Sequence, residues 1–317
     1  MSGGAVFETV APLSFMGVPL VAHIPAEARA VIAGLPFDAG QHPVRVGSRL
    51  GPRGVRAQSA LLRAIDPETD LDVTRALGLV DLGDVPIVHG DVEASQQAIH
   101  RAGRGLFASQ AVPVTVGGDG SVTLPLLHAA AERHPGLAVI HLDAHTDTYP
   151  LPGNGGPVCF HRATEAGWLD PSATFHIGLR GPVSMPGLFA HARALGHTLV
   201  TMDALLERGI GPCFDDLAAR LGQRPVYVCW DMDFFDPSVA PGVFTPSWGG
   251  ATVREGLAIA RRLATLNLVA LDINTVSPLH DTADTTAFLC ARVIYEFLRT
   301  LAARATPPSQ PLGSFHE

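Results

Sequence analysis

Cysteine is scarce in this chain: 317 residues include four, at 159, 213, 229 and 290. They form no C-x-x-C pair and no spacing of the kind that holds zinc. Cys229 and Cys290 sit in apolar runs and read as buried thiols. No apolar run approaches transmembrane length, and no N-terminal signal peptide is visible. The expected setting is therefore a reducing cytoplasm, with no membrane partner. Positive charge is also short. Lys and Arg total 22 against 30 Asp and Glu, a formal net charge of −8. That balance argues against nucleic acid or an anionic membrane surface as partner. No internal repeat is evident.

What the chain does have is glycine (33), proline (26) and a hydrophobic content of 47%. These suit a sizeable core with many short loops, and the length fits one large α/β unit. Residues 1–28 are Gly-, Pro- and Ala-rich and read as an N-terminal arm. Residues 29–305 read as one domain, and 306–317 as a polar, mobile tail. Within the domain, strands are expected at 30–35, 78–82, 112–116, 137–142, 175–179, 198–202, 226–230 and 268–271. Helices are expected at 55–65, 91–109, 122–133, 214–221, 252–265 and 285–303. Strands alternating with helices predict a parallel sheet covered on both faces. Functional groups should then collect at the carboxyl ends of strands.

Two segments carry the chemistry. Asp143-Ala144-His145-Thr146-Asp147 follows the apolar run 137–142, and Asp231-Met232-Asp233 follows the run 226–230. Side chains two residues apart on an extended segment point the same way, so each set can aim its polar groups at one point beyond a strand end. Four carboxylates gathered there repel one another unless a cation joins them. A pair of divalent metals is the simplest cation to do so. The plainer reading, that these residues cap strands and form turns, leaves that repulsion uncompensated. Asp236, before Pro237, reads as a turn residue.

These motifs resemble those of the ureohydrolase superfamily, which includes arginase and agmatinase, and the pattern is most similar to the agmatinase branch. The resemblance covers about residues 30–300. Gly47-Ser48-Arg49-Leu50-Gly51-Pro52 with Val55-Arg56 resembles G-x-R-x-G-P…I-R, and Gly117-Gly118-Asp119-Gly120-Ser121 resembles G-G-D-H-S. Asp143–Asp147 matches D-A-H-x-D. Asp231–Pro237 with Ala240-Pro241-Gly242 matches D-x-D-x-x-D-P…A-P-G. The resemblance implies a three-layer α/β/α sandwich with a mostly parallel sheet of about eight strands. It also implies two Mn²⁺ ions bridged by a hydroxide that attacks a guanidinium carbon and releases urea. Carried over, Asp143 and Asp231 bridge the ions and act in catalysis, His145 and Asp233 complete one site, and Asp147 serves the other. Ni²⁺ is an alternative, since carboxylates with one imidazole accept either ion. A structural role for Asp119 is implied, as is assembly into trimers or hexamers, alone or with a paralogue.

The chain departs from the family pattern in several places. The family's ligand His in G-G-D-H-S is Gly120 here, so one of the two metal sites is expected to be weak or empty. A proton-shuttle His is absent from 153–157, where Asn154 is the nearest polar replacement. His42, Cys159 and His161 are further candidates for the missing ligand or shuttle, each with the plain alternative of an ordinary surface or helix residue. The family Glu that pairs with the substrate guanidinium falls at Thr275, within Asp272-Ile273-Asn274-Thr275-Val276-Ser277-Pro278. A small turn is replaced by Val243 and Phe244, which are expected to narrow the pocket mouth. The resemblance thus implies a C–N hydrolase of a substituted guanidine or amidine rather than of agmatine or arginine. The competing reading is a degenerate, non-catalytic subunit of a two-chain guanidine or biguanide (metformin-type) hydrolase.

Overall fold

A computed structural model describes residues 13–39, 42 and 44–305; residues 1–12 of the arm and the tail 306–317 lie outside them. Eight strands form one sheet: β1 (Ala30–Gly34), β2 (Val80–Asp84), β3 (Val112–Val116), β4 (Ala138–Leu142), β5 (Thr174–Leu179), β6 (Thr198–Thr201), β7 (Val226–Asp231) and β8 (Leu268–Asn274). Their order is β2-β1-β3-β8-β7-β4-β5-β6, and every neighbouring pair is parallel. The helices longer than one turn are α1 (Gly51–Ser59), α2 (Val92–Phe107), α3 (Thr123–Arg133), α4 (Cys159–Glu165), α5 (Leu188–Ala194), α6 (Met202–Arg208), α7 (Ile210–Leu221), α8 (Val253–Leu263) and α9 (Thr285–Ala305), with a single turn at Val73–Ala76. None is long and apolar enough to cross a membrane.

The period-two pattern of the strands builds the three layers. Ile140 and Leu142 of β4 and Val228 and Trp230 of β7 face one core, shared with Phe214 of α7, Ile259 of α8 and Val293 of α9. Their neighbours Val139, Tyr227 and Cys229 face a second core with Ile99 of α2, Leu126 of α3 and Phe160 of α4. Central strands buried on both faces must be apolar throughout, so they are the easiest elements to see in the sequence.

The differences from expectation have local causes. Helix α1 starts early because Gly51-Pro52 opens it, with proline at a position that needs no N–H donor. It stops at Ser59, and Ile65–Asp66 pairs instead with Leu71–Asp72 in a small hairpin. The described part of the arm, from residue 13, lies along the β2 edge, where Val21 N donates to Asp81 O (2.9 Å) and Asp81 N to Pro19 O (3.0 Å). Arg56 of α1 is buried and reaches both oxygens of Asp81 (2.8 and 2.9 Å). In that role the Val55-Arg56 pair of the motif ties α1 to β2.

The chain leaves β3, passes over β8 and β7, and re-enters the sheet at β4. The loops after β3, β8, β7 and β4 are therefore side by side at the carboxyl edge, and the site is there.

Candidate metal centre

Strand β4 ends at Leu142 and the chain turns at once. Asp147 has φ +50°, a left-handed conformation that aspartate tolerates. Likewise Asp231 is the last residue of β7, and Met232–Phe234 form a single 3₁₀ turn. The carboxylates thus converge through two tight turns, not through strand alternation as the spacing had suggested. Besides a set of His141, Cys229 and Asp231, two overlapping donor sets that share Asp143 result. One holds Asp143, His145 and Asp233; the other holds His141, Asp143, Asp147 and Asp231, with all donor atoms of each set within 4.8 Å of one another. Asp143 belongs to both. His145 Nδ1 lies 3.1 Å from Asp143 Oδ1 and 3.5 Å from Asp233 Oδ2.

The electrostatics show how crowded the cluster is. Burial alone would raise Asp143, but the neighbouring His145 and His141 outweigh it and hold this carboxyl well below the usual range. Burial and the charge of Asp143 push Asp147 and Asp231 well up and raise Asp233 to about 7. Burial works against a charged His145, yet Asp143 and Asp233 raise it to about 12. Asp233 Oδ1 is buried without a partner. An orphaned carboxylate oxygen beside the buried Asp143 and Asp231 and the half-buried Asp147 is a donor set short of cations. Its oxygen-rich chemistry with one or two imidazoles fits two divalent ions.

His141 has no counterpart in the sequence-derived site. It sits two residues before Asp143 on β4, with Nε2 3.1 Å from Asp143 Oδ2. Behind it runs a chain of imidazoles. His141 Nδ1 meets His176 Nδ1 at 2.9 Å, His176 Nε2 meets His197 Nδ1 at 2.9 Å, and His197 Nε2 meets Thr164 Oγ1 at 2.9 Å. Burial and the neighbouring rings push His176 well below its ordinary value and His197 to about 4. The signal for His141 was available, because residues two apart on a strand share a face.

The centre floors a cleft of about 280 Å³ whose walls include Tyr149, Leu151, Gly156, Pro157, Ser184, Phe244, Thr245 and Thr275. Gly120 points at the centre: a Cβ built there would lie 3.6 Å from Asp147 Oδ2 and from Asp231 Oδ2. Thr275 lines the cleft with its hydroxyl buried and unpartnered. Phe244 is at the mouth, edge-on to His42 with ring centroids 5.4 Å apart. Val243 is not in the cleft: it is fully buried and bridges to Val276, so its side chain belongs to the core. Asn154 is not in the cleft either. It is exposed in a neighbouring groove, its carbonyl accepting from Gln96 Nε2 at 2.7 Å.

The other candidates are occupied elsewhere. His42 Nδ1 accepts from the Val44 and Arg45 amides. Cys159 is packed in the second core, and burial pushes its thiol well up. His161 contacts His191 and Glu165. Asp236 accepts from the Ser238, Gly249 and Gly250 amides as a turn former, and Asp119 is held by the Ala39 and Ser121 amides.

The family model described as the arginase family matches residues 28–299. The chain is 36% identical over 278 residues to proclavaminate amidinohydrolase of Streptomyces clavuligerus, covering 85% of this chain and 88% of that protein. It is 35% identical over 300 residues to guanidinopropionase of Pseudomonas aeruginosa, covering 92% and 94%. The solved structure of the Streptomyces clavuligerus amidinohydrolase superposes with a TM-score of 0.87 at 35% identity, over 94% of this chain and 99% of that one. A parallel eight-stranded sheet with a carboxylate-rich centre at its carboxyl edge, and relatives matched along nearly their whole length, place this chain in the arginase family.

Proposed function

We propose that this protein is a metal-dependent amidinohydrolase that cleaves a C–N bond of a substituted guanidine and releases urea. The observation that carries the reading is the pair of donor sets sharing Asp143 on the floor of an open cleft. Asp143, His145 and Asp233 would hold one divalent ion, and Asp143, Asp147 and Asp231 the other, with Mn²⁺ the ion expected and Ni²⁺ the alternative. Such a pair supplies Lewis acidity and makes water a nucleophile near neutral pH. The chain's own residues do the rest. Asp143 and Asp231 fix the centre, and Phe244, Tyr149 and Leu151 wall the substrate.

Specificity follows from what the wall offers. Beyond the metal set, the carboxylate in the cleft is Asp119, already engaged, and no arginine lines the cleft among the described residues. A free guanidinium therefore finds no carboxylate partner at Thr275. The loss of such a charge-assisted hydrogen bond costs about 1.5–3 kcal/mol. Apolar contact with Phe244 and Leu151 favours an N-alkylated or otherwise bulky guanidine. The relatives named for proclavaminate and guanidinopropionate support a substituted guanidine in general. They match 85% and 92% of this chain and are named as hydrolases, so the non-catalytic reading has no separate support. Among the described residues the cleft lining holds no imidazole besides His145, so the leaving amine takes its proton from water or from another group at the cleft.

The test is a urea-release assay on a guanidine panel with Mn²⁺ and with Ni²⁺. Guanidines with bulkier or additional N-substituents should turn over faster than agmatine, arginine or guanidinobutyrate, and Asp143→Asn or Asp231→Asn should abolish both turnover and stoichiometric metal. Fast, selective hydrolysis of agmatine would overturn the substrate reading. Four free, buried thiols support a cytoplasmic setting. The family resemblance supports a trimer or hexamer, which sedimentation of a stable monomer would exclude.

A further inference from the structure

We propose that Asp272, Asn274 and Cys229 are positioning residues that set the carboxylate of Asp231 for the second of the two divalent ions. The inference rests on the two-ion reading of the centre. Beneath that centre three parallel strands place polar residues side by side. Asp272 of β8 is in register with Thr115 of β3 and with Cys229 of β7, and Asn274 with Asp231. Residues two apart on a strand share a face, so Tyr227, Cys229 and Asp231 form one row and Asp272 and Asn274 the next. Thr123, the first residue of α3, joins them.

Asp272 is fully buried. Four groups donate to it: Thr115 Oγ1 (2.8 Å), Thr123 Oγ1 (2.7 Å), Tyr227 OH (2.9 Å) and Asn274 Nδ2 (3.3 Å). None of the four is a cation, and a buried carboxylate held in this way is costly if stability is its only return. Its bonds also fix the protons around it. The Thr123 hydroxyl is spent on Asp272, so Thr123 Oγ1 accepts from Asn274 Nδ2 at 2.8 Å. Turning the Asn274 amide over would set its oxygen against the Asp272 carboxylate, so its orientation is held although Oδ1 is buried without a partner. Asn274 Nδ2 also lies 3.6 Å from Cys229 Sγ, which lies 3.7 Å from Asp231 Oδ1. Thr123 Oγ1 is 3.5 Å from the same sulfur, but the Asp231 carboxylate is the stronger acceptor for the one thiol proton. The contacts thus run from Asp272 through Asn274 and Cys229 to Asp231, and none of these bonds touches Asp143, His145 or Asp233. Their loss should be felt at the second ion first.

The experiment reads the two ions separately. Wild type and variants are titrated with Mn²⁺ under chelator competition, and electron paramagnetic resonance tells a coupled pair from an isolated ion. Cys229→Ala and Asp272→Asn should each weaken the second ion by at least about tenfold, as loss of a ligand's outer partner does, and leave the first unchanged. At limiting Mn²⁺ the coupled-pair signal should give way to that of one isolated ion. Cys229→Ser keeps a donor and should retain the pair. Tyr227→Phe removes a donor to Asp272 but leaves Asn274 and Cys229 in place, so it should lower the melting temperature without loss of the second ion. Should Asp272→Asn fail to fold, the two Cys229 variants still decide the matter. Two ions held by Cys229→Ala as tightly as by the wild type, or an equal loss in every variant, overturns this inference while the two-ion reading stands. A wild type that binds no Mn²⁺ overturns both.

Discussion

Gly120 and His141 define the asymmetry of the centre at the level of single residues. The glycine leaves the donor set of Asp143, Asp147 and Asp231 without an imidazole from the β3 loop, yet its missing side chain would point straight at two of those carboxylates. Its nearest other neighbour, Gly156 Cα, would stand 3.5 Å from a Cβ, an ordinary contact. Gly120→His should therefore fit and add a ligand. The expected outcome is tighter binding of the second ion by about tenfold, or roughly 1.4 kcal/mol, read by chelator competition and metal stoichiometry; unchanged affinity would mean that the set is already complete. The His141–His176–His197 chain steadies Asp143 from behind. His176→Leu leaves two buried imidazole nitrogens without partners, at about 1–3 kcal/mol each. It should lower both melting temperature and affinity for Mn²⁺. His176→Gln keeps a donor and an acceptor, and should recover most of the metal affinity; equal loss in both variants would show a packing role only.

The turns after the strands decide how the elements present these groups. Gly117 and Gly118 end β3 where it packs hardest. A Cβ on Gly117 would overlap Asn274 Oδ1, and one on Gly118 would overlap the carbonyl oxygen of Phe37. The first obstacle is a side chain, but the second is backbone, so Gly118→Ala must displace main chain. Overpacking of that kind costs about 3 kcal/mol, whereas Gly120→Ala, two residues on, should cost almost nothing. Urea unfolding of the two variants checks the contrast, and equal stability would refute it. The same turns explain what the sequence made legible. The central strands were the plainest because they are apolar on both faces, and the two edge strands, half-buried at Thr198–Thr201, were still visible as short β-type runs. The one-turn to two-turn helices α4, α5 and α6 and the two-residue strands of the hairpin carry too few residues for a period to emerge. The acidic residues and His145 that the structure gathers into one cluster were visible through their own spacing. Tyr149 and Ser184 come from loops far apart in sequence, with no local pattern to join them. Val243 was misplaced by one position: in an extended segment adjacent side chains point opposite ways, so with Phe244 in the cleft Val243 must face the core. Asn154 was misplaced because proximity in sequence to Gly156 and Pro157 says nothing about which side of the loop it faces.

Across the whole molecule, every basic side chain other than histidine is arginine, since the sequence contains no lysine. The longest helix is tied to its surroundings through them. Glu296 of α9, with a side chain 1% exposed, meets Arg261 of α8 at 2.8 Å, Arg292 at 2.6 Å and Arg299 at 3.0 Å. Arg299 continues to Asp66 of the hairpin at 3.0 Å. Burial would raise Glu296, but the three guanidinium groups outweigh it and hold its carboxyl below the ordinary value of 4.5. A carboxyl depressed in the folded state contributes stability that is present above its unfolded value and lost as pH falls through its folded value. This contribution is thus complete at neutral pH, starts to fall near pH 4.5 and is gone only once the pH is below the folded value. Glu296→Gln removes the charge but keeps the shape. At pH 7 it should cost about 1–2 kcal/mol, discounted because the arginines are partly in solvent. The gap in melting temperature between the variant and the wild type should narrow steadily as the pH falls below about 4.5. Both are to be compared by thermal unfolding in a chelator, so that loss of metal at low pH does not add its own dependence. Curves that stay parallel from pH 7 to pH 3 would show that Glu296 acts through packing and not through its charge.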